Sequence, residues 1–243
     1  MSLLRVLAGS MITFVILAIG AVVMFFVALV TLFRARRIYS EYIAKWLAQI
    51  VLRQWGIRCV VHRDYPLPEK QFVYVSNHTG TLDVFTVIAM GLPNCRYFLR
   101  GFIRAYLPIW VMGVLMGTFF TVHQKYPEKR RKIFHDAART LEKTGESVFL
   151  TPEGERVTTG EIGHFNKGAF HLATQLKAPI VPFYLATPKE TDPGRSFNVN
   201  PGTVHIYFKD IINTNEWLVE DVVVNAERVR NKFLIYHEDY KPE

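Results

Sequence analysis

His78 and Asp83 stand five positions apart in Asn77-His78-Thr79-Gly80-Thr81-Leu82-Asp83. The block begins where the short apolar run Phe72-Val73-Tyr74-Val75 gives way to a helical pattern. An imidazole with an ordinary pKa of about 6.5 takes up a proton near neutral pH. A carboxylate on its other ring nitrogen fixes the tautomer and stabilises the imidazolium that forms. A histidine just before a helix, with an aspartate in the first turns, brings that carboxylate back under the ring. Such a pair suits general-base activation of a bound hydroxyl, without a seryl or cysteinyl nucleophile. Asn77 and Thr81 are expected to donate hydrogen bonds around it. The plainer alternative is a helix-start histidine beside a solvated aspartate.

A second block, Pro152-Glu153-Gly154-Glu155-Arg156, follows a predicted strand over Ser147 to Thr151 and sets a turn glycine among charges of both signs. Gly154 is expected to offer a backbone N–H to a developing oxyanion or a phosphate, or simply to supply the dihedral freedom of a turn. A third stretch, Gly117-Thr118-Phe119-Phe120-Thr121-Val122-His123, is followed closely by Lys125. The other histidines show no spacing that makes a metal site, and no metal is expected.

The elements that must position these groups read as α/β. Strands are predicted over Ile57 to His62, Phe72 to Val75, Ser147 to Thr151, Ile180 to Ala186 and Val204 to Phe208. Pro66 and Pro68 are expected to turn the chain between the first two. Helices are predicted over Ile38 to Trp55, Asp83 to Gly91, Pro127 to Thr144, Phe170 to Lys177 and Trp217 to Leu234. Pro127 suits a first turn and Gly145 a C-terminal cap. Strands separated by helices imply a mostly parallel central sheet flanked by helices, with the site at strand ends. Ala105 to Val122 is uncharged, but Pro108, Gly113 and Gly117 argue against a spanning helix. A buried or membrane-dipping segment lining an apolar groove, or plain core, is expected there.

The chain opens on an N-terminal membrane helix. Val6 to Phe33 is a run of 28 residues without a charge, longer than the roughly 20 needed to cross a bilayer core. It is also too long for a cleaved signal peptide. Arg34, Arg36 and Arg37 follow at once, so the positive-inside tendency places the remainder in the cytoplasm, against the inner membrane. Two parts are expected: residues 1–37 as anchor and residues 38–243 as a cytoplasmic α/β domain. Tyr39, Tyr42, Trp46 and Trp55 in the next helix suit either an interface or a core. The 29 basic and 21 acidic residues leave a net +8, which favours anionic lipid head groups and acidic substrates. The basic residues are dispersed with no nucleic-acid motif, so no nucleic-acid partner is expected. Cys59 and Cys95 read as ordinary thiols in a reducing compartment.

In this order, the blocks around His78 and Glu153 resemble the PlsC-type glycerolipid acyltransferases, as do Phe165-Asn166-Lys167-Gly168 and Val181-Pro182-Phe183. The resemblance spans roughly residues 57 to 210. It implies the glycerolipid acyltransferase fold, with His78 and Asp83 as the catalytic pair. It further implies transfer of a fatty acyl group from acyl-CoA or acyl-carrier protein to a lyso-lipid hydroxyl, with no cofactor and no covalent enzyme intermediate. Glu153, Gly154 and Arg156 fall on the family's substrate-binding block, where Glu155 replaces a threonine. In the glycine block the family's phosphate-holding arginine is replaced by His123, with Lys125 the nearby point charge. Lysophosphatidate is the expected acceptor; a lyso-lipid with an amino-acid-derived head group competes with it. A non-catalytic lipid-binding protein and a thioester hydrolase are the readings from other classes.

Overall fold

The structure is a computed structural model and describes residues 3–67, 70–194 and 198–242. Pro68, half of the expected turn, lies outside the described residues, as do Met1 and Ser2.

Helix α1, Leu3–Val30, turns Gly9, Thr13, Leu17, Gly20, Ala21, Met24 and Ala28 inward and leaves most of its other apolar side chains exposed. Its inward residues recur every three or four positions, so they form one stripe. The chain then runs through α2 (Arg36–Ile38), a π turn (Tyr39–Ala44) and α3 (Lys45–Gln54) as consecutive helical segments. Small residues let α1 and α3 approach closely. A Cβ placed on Gly9 would come within 2.7 Å of the Trp55 ring, and Trp55 Nε1 donates to Thr13 Oγ1 at 2.9 Å. Tyr39 and Trp55 are buried while Tyr42 and Trp46 are exposed, so the aromatic residues of this segment divide between core and surface. Leu17, Ala21, Met24 and Ala28 belong to the same apolar cluster as the sheet residues Tyr74 and Phe149. Packing is therefore continuous across residue 37.

Seven strands follow: β1 Ile57–His62, β2 Val73–Ser76, β3 Cys95–Arg100, β4 Phe119–Thr121, β5 Ser147–Leu150, β6 Ile180–Ala186 and β7 Gly202–Phe208. They lie in the order β1-β7-β6-β2-β5-β3-β4. All neighbours are parallel except β6 and β7. The α-helices between them are α4 (Asp83–Met90), α5 (Leu107–Leu115), α6 (Pro127–Thr144) and α7 (Gly168–Leu176), and α8 (Val222–Tyr240) follows β7. Alternate strand residues feed two cores, as the two-residue period of a strand requires. Tyr74, Phe149 and Phe183 join the α1, α3 and α4 side. Val73, Val75, Val148 and Ile180 join the α6, α7 and α8 side. β2, β5 and β6 are buried along their whole length.

Several expected elements lie elsewhere. β3 and β4 were not foreseen, and they extend the sheet beyond β5. The uncharged stretch after Ala105 is not one segment: α5 stops at Leu115, Gly117 adopts φ +70°, and β4 begins at Phe119. The last helix starts at Val222, not Trp217, and runs on to Tyr240. Lys177 Nζ donates to the carbonyls of Asn215 (3.0 Å) and Trp217 (2.9 Å), holding that segment as a turn. The seventh helix begins at Gly168 and gives way at Lys177, which adopts φ +49°.

Candidate active site

β2 and β5 are adjacent and parallel, with Val73 opposite Val148 and Val75 opposite Leu150. Their C-terminal ends therefore deliver the His78 and Glu153 blocks to the same edge of the sheet, where sites of α/β folds gather.

Asp83 is the first residue of α4 and is buried. Its Oδ2 takes three contacts: His78 Nδ1 at 2.9 Å, the backbone N–H of Thr79 at 2.9 Å and that of Gly80 at 2.8 Å. Two backbone donors on one carboxylate oxygen fix where it points. His78 Nδ1 is thereby engaged, and Nε2 is the nitrogen left for chemistry. The histidine side chain is 24% exposed against 6% for its partner, which suits a reacting base held by a buried anchor. Gly80 allows this closeness, since a Cβ there would lie 2.5 Å from Asp83 Oδ1.

Glu153 is buried and bridges two segments. Oε2 accepts from the His78 backbone N–H at 2.7 Å, and Oε1 accepts from Gly163 N–H at 2.9 Å. Val157 N–H returns a bond to the His78 carbonyl at 2.8 Å, so the two blocks are stapled on both sides of the histidine. Burial is the largest influence on the Glu153 carboxyl, which is pushed up to about 7. The two backbone donors and the His78 ring pull it back, while Asp83 adds to the rise. Glu153 thus supports the backbone of His78, whereas the sequence placed it among substrate contacts.

Gly154 adopts φ +72°, a conformation that favours glycine. Its N–H is donated to the Thr151 carbonyl at 3.0 Å, closing the turn rather than pointing at a reacting atom. Asn166 holds the same turn through Nδ2, which donates to the carbonyls of Pro152 (3.0 Å) and Glu153 (2.9 Å). Arg156 Nη1 donates to Thr81 Oγ1 at 2.8 Å, bringing a guanidinium to the His78 loop. Thr81 therefore faces Arg156, and Asn77 faces away from the pair. Its amide clamps β2 to β6 by donating to the Leu185 carbonyl at 3.0 Å and accepting from Leu185 N–H at 2.8 Å.

His123 and Lys125 sit in the exposed turn between β4 and α6, where Lys125 N–H donates to His123 Nδ1 at 3.2 Å. The turn reaches the site through Gln124, whose Nε2 would lie 3.4 Å from a Cβ on Gly154. Lys125 Nζ stands 5.1 Å from the centre of the Tyr126 ring. Two groups escaped the sequence reading. Asp192 is buried, and its oxygens accept from Leu82 N–H and Gly194 N–H, both at 2.9 Å, bracing the loop that carries His78. Arg100, at the end of the unforeseen β3, stands 3.9 Å from Glu155. The only sequence sign of Asp192 was the turn-forming Asp192-Pro193-Gly194.

The arrangement brings together an imidazole engaged at Nδ1, a neighbouring cation and a buried scaffold behind both. The pattern of the Acyltransferase family matches residues 58–186, which spans every one of these groups except Asp192. A 1-acyl-sn-glycerol-3-phosphate acyltransferase of Saccharomyces cerevisiae is 26% identical over 204 residues, 80% of this chain and 66% of that protein. The alpha enzyme of that name in Homo sapiens is 26% identical over 83% of this chain and 71% of its own length. The chloroplastic BAT2 enzyme of Brassica napus is 31% identical over 71% of this chain and half of its own. The crystal structure of the 1-acyl-sn-glycerophosphate acyltransferase PlsC from Thermotoga maritima superposes with a TM-score of 0.80 at 17% identity. That alignment covers 99% of this chain and 98% of the other, and it shows the fold. With the family pattern covering more than half its length, the chain belongs to the Acyltransferase family.

Proposed function

We propose that this chain is a membrane-associated O-acyltransferase that moves a fatty acyl group from a thioester to a lyso-lipid hydroxyl, with lysophosphatidate as acceptor. The observation that carries the reading is Asp83 Oδ2 held at once by His78 Nδ1 and two backbone N–H groups. With Nδ1 so engaged, His78 Nε2 takes the proton of the acceptor hydroxyl as its oxygen attacks the thioester carbonyl. The tetrahedral intermediate collapses by breaking the carbon–sulfur bond, and the leaving thiolate takes the proton from Nε2. Asp83 stabilises the imidazolium between these steps. Acyl-CoA or acyl-carrier protein is the donor, and Arg156 contributes to holding the acceptor's anionic group. The relatives' names support lysophosphatidate, since those at 26% identity over most of this chain act on 1-acyl-sn-glycerol-3-phosphate.

Membrane association rests on α1, a 28-residue helix that is long and apolar enough to cross a bilayer. α1 packs on α5, whose Leu107, Trp110 and Val114 are also exposed. The catalytic edge then faces lipid-borne acceptors from the cytoplasmic side of the inner membrane. The test offers purified protein in detergent an acyl-CoA and an acyl-carrier protein donor with lysophosphatidate, with lyso-aminolipid or with no acceptor. The reading expects phosphatidate and free thiol in equal amounts from the lysophosphatidate arm. Product only from the aminolipid arm would replace the acceptor, and fatty acid released without any acceptor would make the protein a hydrolase.

A further inference from the structure

One face of α8 closes over the loop that begins at Glu153. Arg230, Phe233 and His237 stand three and then four positions apart, so they share that face. Arg230 Nε donates to the Gly163 carbonyl at 2.8 Å, and its Nη2 donates to the Ile162 carbonyl at 3.3 Å. Nη1 is tied at 3.0 Å to Glu227, one turn back along the helix. The guanidinium is thus a planar fork set on two consecutive carbonyls, with its direction fixed from behind. One turn further on, the Phe233 ring meets Phe165 edge to face, with centroids 5.2 Å apart. Tyr184 Oη and His237 Nδ1 share a hydrogen bond of 2.8 Å, which pins the far end of the face to β6.

From this face, hydrogen bonds run unbroken to the histidine. Gly163 receives Arg230 on its carbonyl and donates its own N–H to Glu153 Oε1 at 2.9 Å. Glu153 Oε2 in turn accepts the His78 N–H at 2.7 Å. Space at the turn is tight: a Cβ on Gly163 would come within 2.7 Å of Val157 Cγ2 and 3.5 Å of Glu153 Oε1. Val157 donates its N–H to the His78 carbonyl at 2.8 Å. A shift of Gly163 therefore disturbs the partners of both backbone groups of His78. We infer that Arg230 is a positioning residue for acyl transfer, setting the place of His78 through Gly163 and Glu153. The inference rests on the proposed role of His78 and adds a residue from α8, beyond those that the family pattern matches. Because Arg230 acts on the backbone of the base, its loss should lower kcat and spare both KM values. A reacting group misplaced by about 1 Å costs on the order of 10²-fold in rate.

The experiment measures kcat and the KM of each substrate for the full-length protein in mixed micelles. It compares wild type with Arg230→Gln, Arg230→Lys, Glu153→Gln, the double variant Arg230→Gln with Glu153→Gln, and Val229→Ala. Arg230→Gln is expected to lower kcat roughly 10- to 100-fold, with each KM within about twofold of wild type. Arg230→Lys should lose less, since it keeps the charge and loses the fork. The double variant should fall no further than the weaker of its two parents, because both substitutions break one path. Val229 is buried in the same helix, so Val229→Ala should lower the thermal midpoint while kcat stays within about twofold. A kcat for Arg230→Gln within about twofold of wild type would overturn the inference, as would losses that multiply in the double variant. An equal loss in Val229→Ala would also overturn it, since the effect would then be α8 stability alone. Should Arg230→Gln not fold, Arg230→Lys decides, and an unchanged kcat refutes the inference. Amide hydrogen exchange reads the same path without turnover. Arg230→Gln should speed exchange several-fold in the peptides that hold Gly163 and His78 and leave β1 unchanged. If wild type transfers nothing to any lyso-lipid, the acyl-transfer reading fails by itself. Unchanged exchange at His78 then refutes the path from Arg230 separately.

Discussion

Asp83 carries more of the site's geometry than any other side chain, because one oxygen orients the histidine ring and also ties two backbone amides. Asp83→Asn keeps the shape but places an amide where a carboxylate stood. The Thr79 and Gly80 N–H groups hold the amide oxygen at the shared position, so the imidazolium formed at His78 loses its counter-charge. A fall in kcat of roughly 10²- to 10⁴-fold, read as thiol release, is expected, with little change in the acceptor KM. Glu153 gives a prediction in pH. Its carboxyl sits at about 7 in the folded protein, raised chiefly by burial, against about 4.3 in an unfolded chain. A raised carboxyl pKa means that the folded state binds the proton more tightly. Its contribution is therefore complete below pH ~4.3 and is lost as pH rises through about 7, by roughly 4 kcal/mol in all. Glu153→Gln has no such titration. The midpoint of wild type relative to Glu153→Gln should accordingly fall between pH 5 and 8, and a pH-independent difference would contradict this account. The pair and Arg156 were legible in the sequence because their chemistry is local, five residues apart or next to a turn glycine. Arg100 and Asp192 were not, because their roles come from strand order and a distant loop.

At the scale of elements, the tight seam between α1 and α3 is set by glycines. The Trp55 ring fills the space over Gly9 and is tied to Thr13, so it cannot swing aside at no cost. Gly9→Ala should destabilise the protein by about 1–3 kcal/mol, the usual range for overpacking, seen as a lower thermal midpoint in detergent. An unchanged midpoint would mean that the seam is looser than described. Sequence periodicity caught the elements with complete local signals: Pro127–Thr144, between a proline and a glycine, and Ile180–Ala186 and Ile57–His62, as apolar β-branched runs. It missed β3 and β4. β3 carries charge at Arg96 and Arg100, and it pairs with β4 on one side and, some fifty residues on, with β5 on the other. β4 is three residues inside a uniformly apolar stretch, where no period distinguishes strand from helix.

For the whole molecule, the sheet gathers both blocks at one edge while α1 and α5 leave apolar side chains exposed. Isolated exposed apolar residues are ordinary, but a band on adjoining helices marks a surface for lipid or protein. The membrane reading predicts that brominated lipid quenches the tryptophan fluorescence of wild type more than that of Trp110→Phe, because α5 lies against the bilayer that α1 crosses. Equal quenching would remove α5 from the contact. The central claim is that His78 is the base of acyl transfer, and it is tested most directly by comparing wild type with His78→Ala under saturating thioester and lysophosphatidate. The account predicts that wild type releases one thiol for each phosphatidate formed and that His78→Ala loses at least about 10²-fold in kcat with an unchanged thermal midpoint. Turnover by a folded His78→Ala within a few-fold of wild type would contradict it.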